Sequence, residues 1–331
     1  MQEKKHILLL TTGGTIASVP GGEGLEPMRS GVMERELEQL RTYYDIYVRD
    51  VMCLDSSNIT PEEWQLIARE IFEHRLGYDG VVVSHGTDTM AYTASAVTFM
   101  LPGIDIPVVF TGSQLPIMHP LSDAPSNLTE ALAVAQSAPA GVYVVFNHKI
   151  ISGTHAFKMR TTSFDAFESI NAPLVGYIDA EGPHYTNPPK YKPDAVCKLE
   201  DSLDERVFLL KLMPGTSPAI FDWVVESGMK GLVVEAFGMG GLHYIRRNLV
   251  DKLKMLANHG IYTIVTTQCL YEKADFSIYE VGRSILTPGS VFSGRDMTSE
   301  AAVAKLMWVL GDPEDRLPLL ARSVRGEMRD D

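Results

Sequence analysis

Ile7-Leu8-Leu9-Leu10-Thr11-Thr12-Gly13-Gly14-Thr15 runs an apolar strand directly into two glycines and a hydroxyl. A second such run, Gly80-Val81-Val82-Val83-Ser84, ends in His85-Gly86-Thr87-Asp88-Thr89. Strands this uniformly apolar are covered by helices on both faces, which is the habit of parallel sheets in α/β proteins. In that architecture the turns leaving the carboxyl ends of the strands hold the chemistry. Two hydroxyl-bearing turns, one beside a carboxylate, point to covalent acyl transfer.

The alternation continues outward from these two stretches. Further strands are predicted at Pro107–Thr111 and Val142–Asn147, then at Val207–Leu212, Gly231–Glu235 and Tyr262–Thr266. Thr60-Pro61-Glu62-Glu63 opens a helix, with an N-cap, a proline in the first turn and a capping-box glutamate. Other helices are predicted at Thr89–Met100, Ser126–Gln136, Ala219–Ser227, Arg246–Asn258 and Thr298–Leu310. Glu181–Arg206 is proline-rich and without periodicity, and reads as a linker or crossover. The chain of 331 residues exceeds one ordinary core. The predicted class is therefore α/β. A larger N-terminal parallel, flavodoxin- or Rossmann-like sheet domain (1–190) carries the catalytic residues, and a smaller C-terminal α/β domain (191–331) follows.

A net charge of −13 opposes phosphate backbones and anionic membranes, so no nucleic-acid or membrane partner is expected. Three scattered cysteines, Cys53, Cys197 and Cys269, make neither a disulfide framework nor a zinc pattern, and fit a reducing compartment. The apolar run after Lys4-Lys5 is too short for a secretory signal, and nothing approaches a membrane span. A cytoplasmic protein is expected, without a metal or an organic cofactor. Asn58-Ile59-Thr60 and Asn127-Leu128-Thr129 then match the glycosylation pattern by chance.

Glycines after a strand let the backbone approach a ligand closely and expose amides to a developing oxyanion, so Thr15 is a candidate nucleophile. Gly13-Gly14-Thr15 has neither the dinucleotide nor the P-loop spacing, although a plain strand-to-turn junction stays open for it. Asp88 can hold a substrate ammonium while the Thr87 hydroxyl joins a proton relay; helix capping alone would explain one of these residues. A hydroxyl needs a base to draw its proton, and Lys158 is the candidate. Its neighbour Arg160 reads as an ion-pair partner, and His85 as an imidazole packed at a strand end. Asp55-Ser56-Ser57-Asn58, ahead of the capped helix, suits a substrate carboxylate, or equally plain turn chemistry. The glycine-dense stretch from Pro20 to Leu25 reads as a lid or as an ordinary surface loop.

Together these segments resemble the bacterial-type L-asparaginases, in particular their cytoplasmic type I branch. The matching runs are Thr12-Gly13-Gly14-Thr15-Ile16-Ala17, Asp55-Ser56-Ser57, His85-Gly86-Thr87-Asp88-Thr89-Met90-Ala91-Tyr92, Thr111-Gly112-Ser113-Gln114-Leu115-Pro116, Phe164-Asp165-Ala166-Phe167 and Thr266-Thr267-Gln268-Cys269. The resemblance spans nearly the whole chain. It implies that Thr15 attacks the side-chain amide of L-asparagine, and that Thr87, polarised by Lys158, activates the hydrolytic water. It also implies that Asp88 binds the α-ammonium and tunes Lys158, that Ser56 and Ser57 hold the α-carboxylate, that Asp55 and Thr87 also bind substrate, and that the chain forms a homodimer or homotetramer.

The chain departs from the pattern at three places. Leu25 stands where many relatives carry a lid tyrosine that orients the nucleophilic threonine; Tyr279, which matches a tyrosine that some relatives reach across the dimer, is the candidate catalytic hydroxyl in its place, or else an aromatic packing at an interface. Cys269 corresponds to a residue near an allosteric asparagine site whose arginine is replaced around Glu235, so a buried, inert thiol is expected there. No extra domain precedes the first strand, which argues against tRNA-dependent amidotransferase work. Competing readings are a dual glutaminase-asparaginase, a non-catalytic amino-acid sensor and a nucleotide-dependent oxidoreductase.

Overall fold

The computed structural model describes residues 4–20, 25–189, 196–275 and 289–329. It has two compact units, Met1–Asp201 and Ser202–Asp331. The boundary expected near residue 190 falls outside the described residues. Just beyond it, Lys198 and Glu200 donate backbone hydrogen bonds to Pro102 (3.0 Å) and Met100 (2.8 Å), which keeps this stretch with the first unit.

The first unit is built on strands β1 (His6–Gly13), β2 (Ser18–Pro20), β3 (Leu25–Pro27), β4 (Asp45–Leu54), β5 (Gly80–Ser84), β6 (Pro107–Thr111), β7 (Gly141–Phe146), β8 (Lys149–Ser152), β9 (Ala156–Lys158), β10 (Phe167–Ser169), β11 (Gly176–Asp179) and β12 (Gly182–Tyr185). Its main sheet runs β12-β11-β8-β7-β6-β5-β1-β4. From β4 to β7 every pairing is parallel. β7, β8, β11 and β12 pair antiparallel, so the expected parallel sheet is extended at one side into a mixed one. The extension follows from a two-residue turn at Asn147-His148, both with positive φ (47° and 65°), which reverses the chain without a crossover helix. β12 occupies the start of the predicted linker, where a strand of Gly-Pro-His-Tyr is tolerable because it lies at an edge. β4, also an edge strand, was hidden by its charged residues.

Since β1 lies between β4 and β5, the chain leaves β1 first toward one edge and then toward the other. The crevice of this doubly wound sheet therefore opens at the carboxyl ends of β1 and β5. Helix α1 (Glu34–Leu40) follows the β2–β3 ribbon, and α2 (Pro61–His74) begins as predicted: the Glu63 carboxylate accepts from the Thr60 backbone N–H at 2.8 Å. Helix α3 (Met90–Met100) is buried around nearly its whole circumference, and α4 (Ala124–Ser137) packs its apolar face on the sheet.

The second unit has one parallel sheet, β13 (Val207–Lys211), β14 (Gly231–Ala236), β15 (Tyr262–Thr267) and β16 (Val291–Ser293), in that order. Helices α5 (Ala219–Glu226) and α6 (Leu249–Asn258) contribute to its core, and the helix Ser299–Leu310 also packs on the sheet. That last helix carries Lys305, fully buried and paired at 2.5 Å with the equally buried Glu327. The Lys305 ammonium also donates to the Arg322 carbonyl (2.7 Å), while Glu327 accepts from the Val324 and Arg325 amides. Removing one member strands the other charge without water. Lys305→Met is expected to cost about 3–5 kcal/mol in urea denaturation, and an unchanged midpoint would count against the pair's role in the fold.

Candidate active site

The carboxyl end of β1 is packed tightly against those of β4 and β5, and the Thr12 hydroxyl donates to the Ser84 carbonyl at 3.0 Å. Gly14 (φ 74°) turns the chain out of β1, and its N–H donates to the Leu54 carbonyl at 2.8 Å. A Cβ on Gly14 would meet the Gly86 nitrogen at 2.5 Å, and a Cβ on Gly86 would meet Ser56 Cβ and Oγ at 2.6 Å. Neither position admits a side chain, and the turns at 14, 56 and 86 nest against one another. Thr15 and Thr87, one residue beyond each glycine, leave abutting turns.

Thr15 opens a single 3-10 turn, Thr15–Ala17, and is half-buried. Thr87 is 5% exposed, and its hydroxyl accepts from Lys158 Nζ at 2.7 Å. The same ammonium meets Asp88 Oδ1 at 2.5 Å. Lys158 ends β9, whose ribbon with β10 pairs Lys158 opposite Phe167 and contacts α3. Its side chain is 16% exposed whereas that of Asp88 is 64% exposed, so the amine is sequestered and the carboxylate is open to a ligand.

The Asp55–Asn58 turn faces the same place. Asp55 caps the short 3-10 turn Ser56–Asn58, accepting from the Ser57 amide (2.8 Å) and hydroxyl (2.5 Å). The Ser57 hydroxyl is the main reason the Asp55 carboxyl lies below its ordinary range, and the Lys158 charge adds to the effect. Ser56 is buried, and its carbonyl accepts from the Thr89 hydroxyl at 2.7 Å. Thr89 thus ties two site turns together instead of capping its own helix. The capping explanation of the 85–89 run does not hold for it. Arg160 pairs with Glu168 at 2.9 Å, as the sequence suggested.

Among the described residues no cluster of three or more His, Cys, Asp or Glu side chains is placed to share a metal ion. The family description "Asparaginase, N-terminal" matches residues 6–191, and "Glutaminase/Asparaginase C-terminal domain" matches residues 206–317. The chain belongs to the asparaginase family. An L-asparaginase from Thermococcus kodakarensis is 40% identical over 327 residues, covering 97% of this chain and 98% of that protein. The solved structure of the thermostable L-asparaginase from that organism superposes with a TM-score of 0.92 at 38% identity, covering 98% of this chain and all of that one. One of the subunits of a glutamyl-tRNA(Gln) amidotransferase from Thermofilum pendens is 33% identical over 332 residues, covering 95% of this chain and 72% of its own length.

In this asparaginase-family chain Tyr279 lies outside the described residues, as do Gly21–Gly24 and the side chain of Leu25. Cys269 is exposed, not buried as expected: it lies just past the end of β15, beyond the strand's buried run. Asn127, in one of the glycosylation-like triplets, is buried and spends its side chain on Gly112, Asp123 and Asn147. In the sequence Gln114 belongs only to a matching run, Asn127 only to a chance triplet, and Asp123 carries no signal of its own. Gln114 proves to touch Thr87 (3.4 Å). Its placement three residues beyond the end of a central strand was the available signal.

His85 is wholly buried, with Nδ1 2.7 Å from the Gly86 carbonyl and Nε2 3.0 Å from the Thr93 hydroxyl. Nδ1 must carry the proton, because a carbonyl only accepts. Burial pushes the imidazole down to about 4 from 6.5, so it is neutral in the folded protein above that range and no general base is needed of it. Between those values the unfolded chain binds a proton that the folded chain refuses. The stabilisation is complete above pH 6.5 and fades as pH falls toward 4. The whole effect is roughly 3 kcal/mol. His85→Asn, which sets an amide N–H near the Nδ1 position, is expected to flatten the fall in urea midpoint across this window. An equally steep fall in the variant would assign the acid sensitivity elsewhere.

Proposed function

We propose that this chain hydrolyses L-asparagine to L-aspartate and ammonia in two steps at the β1–β5 crevice. The reading rests above all on one contact set: a sequestered amine, Lys158, bridging a buried hydroxyl, Thr87, and an open carboxylate, Asp88. Thr15 Oγ1 attacks the side-chain amide carbon, the C–N bond breaks, and ammonia leaves with the hydroxyl's proton. Water then attacks the aspartyl ester, the C–O bond to Thr15 breaks, and Thr15 regains a proton. Thr87 relays the water's proton toward Lys158 in its amine form, since a hydroxyl is too weak a base alone. Backbone amides of the two glycine turns suit the oxyanion of both tetrahedral intermediates. Asp88 takes the substrate's α-ammonium, and the Asp55–Ser57 turn faces the α-carboxylate.

The description "Glutaminase/Asparaginase" for the second unit favours one alternative, dual action on glutamine. A single methylene is worth only about 1–3 kcal/mol in discrimination. Ammonia release measured over a range of asparagine and glutamine concentrations decides between them. A higher specificity constant for asparagine is expected; equal constants establish the dual enzyme, and no release from either removes the proposal. The net charge of −13 weighs against a tRNA-bound substrate. We expect a homodimer or homotetramer, and sedimentation tests it.

A further inference from the structure

We propose that Gln114 is a positioning residue that orients the Thr87 hydroxyl; the inference rests on the reading of Thr87 and Lys158 as a proton relay. The chain leaves β6 through Gly112-Ser113-Gln114 and is fastened there by one carboxylate. Both oxygens of Asp123 accept from the Gln114 backbone N–H, at 3.1 and 3.0 Å, and Oδ1 also accepts from the Leu115 N–H at 3.1 Å. Asn127 braces that carboxylate at 3.1 Å and the Gly112 carbonyl at 3.0 Å. The main chain at 114 thus has little freedom to drift.

The side chain is oriented just as firmly. Gln114 Nε2 donates to the Ser163 carbonyl at 3.0 Å and meets the Arg160 carbonyl at 3.4 Å. Carbonyls only accept, so the nitrogen end of the amide must face them and Oε1 must face Thr87, 3.4 Å from its Oγ1. The Thr87 oxygen already accepts from Lys158 Nζ at 2.7 Å, which leaves its single proton for Gln114. A hydroxyl oxygen has one proton and two lone-pair directions. With the proton on Gln114 and one lone pair on the Lys158 ammonium, the other lone pair faces a reacting proton. An amide oxygen is too weak a base to remove the Thr87 proton, so Gln114 holds the rotor at rest and yields that proton to the more basic Lys158 amine as the water's proton reaches the Thr87 oxygen. Long contacts of this kind tighten when substrate closes the site.

A merely structural Gln114, tying residues 160–163 to the β6 turn, would give a different result in steady-state kinetics. Gln114→Ala is expected to lower kcat for asparagine hydrolysis roughly ten- to a hundredfold, the effect of one lost polar contact. KM should stay within about threefold, and the thermal shift produced by L-aspartate should persist. Gln114→Glu keeps an acceptor near Thr87 but adds a negative charge that favours the Lys158 ammonium. The rising limb of its kcat–pH profile should move toward higher pH, whereas the alanine variant leaves that limb in place. If the alanine variant melts early, Gln114→Met, of similar length, carries the same kcat test.

Undiminished kcat in the alanine or methionine variant, a rise confined to KM, or an unmoved limb in Gln114→Glu would overturn the proposal. Thr87→Ala is assayed beside them. Should it turn over at the wild-type rate, the relay reading itself fails. If Thr87→Ala is inactive while Gln114→Ala runs at full speed, only the role of Gln114 is lost.

Discussion

Thr15→Ala is expected to lower ammonia release from L-asparagine by roughly 10⁴-fold or more, with thermal unfolding unchanged. The half-buried hydroxyl sits at the first position of a 3-10 turn, and its loss neither opens a core cavity nor breaks a helix. Thr87→Ala should be as slow in steady state but fail differently. If Thr15 opens the amide and Thr87 serves the water, the first ammonia leaves and the aspartyl ester remains. A rapid-quench trace should show a burst of about one ammonia per site, and intact-protein mass should rise by one aspartyl group. A Thr87→Ala enzyme that is slow from the first turnover, with no mass increase, would reassign Thr87 to the attack step. A Thr15→Ala enzyme that forms the adduct would reverse the two threonines' roles.

Lys158→Met is expected to cost roughly 10²- to 10⁴-fold in kcat, the usual worth of a positioned acid or base. The rising limb of the pH profile should disappear with the amine. Its effect on folding should be under about 1 kcal/mol, because Asp88 keeps its access to water when the ammonium goes. The contrast with Lys305 is instructive. Both lysines meet a carboxylate at 2.5 Å, yet the partner of Lys305 has no exposed surface at all. One substitution should be read in turnover and the other in the unfolding midpoint. If Lys158→Met unfolds at markedly lower urea while its turnover is intact, the pair is structural and the relay has no amine.

The central strands and most of the helices were legible because their burial is two-sided: β5, β6 and β7 are buried at every position, and unbroken apolar runs announce this. β4 and the β8–β12 extension were not, since edge and ribbon strands need only half their residues apolar, and register comes from partners far along the chain. At the site, the glycine turns and the hydroxyls beside them could be picked out because strand ends in such sheets are where ligands bind. Lys158 stood out only through the company of neighbouring motifs; its distance from Thr87, 71 residues, leaves no local trace. Gln114 was overlooked for the same reason, as its chemistry lies in which carbonyls hold its amide. The thiol of Cys269 was misplaced because a residue beyond a buried strand carries no periodic signal of its own exposure.

The nesting of Gly14 on Gly86, and of Gly86 on Ser56, has an evolutionary consequence. A floor in which not one carbon atom can be added is closed to gradual remodelling. New substrate tastes in descendants of this protein would have to be acquired at the rim, through side chains carried by loops such as Gln114–Leu121, while the floor is inherited unaltered.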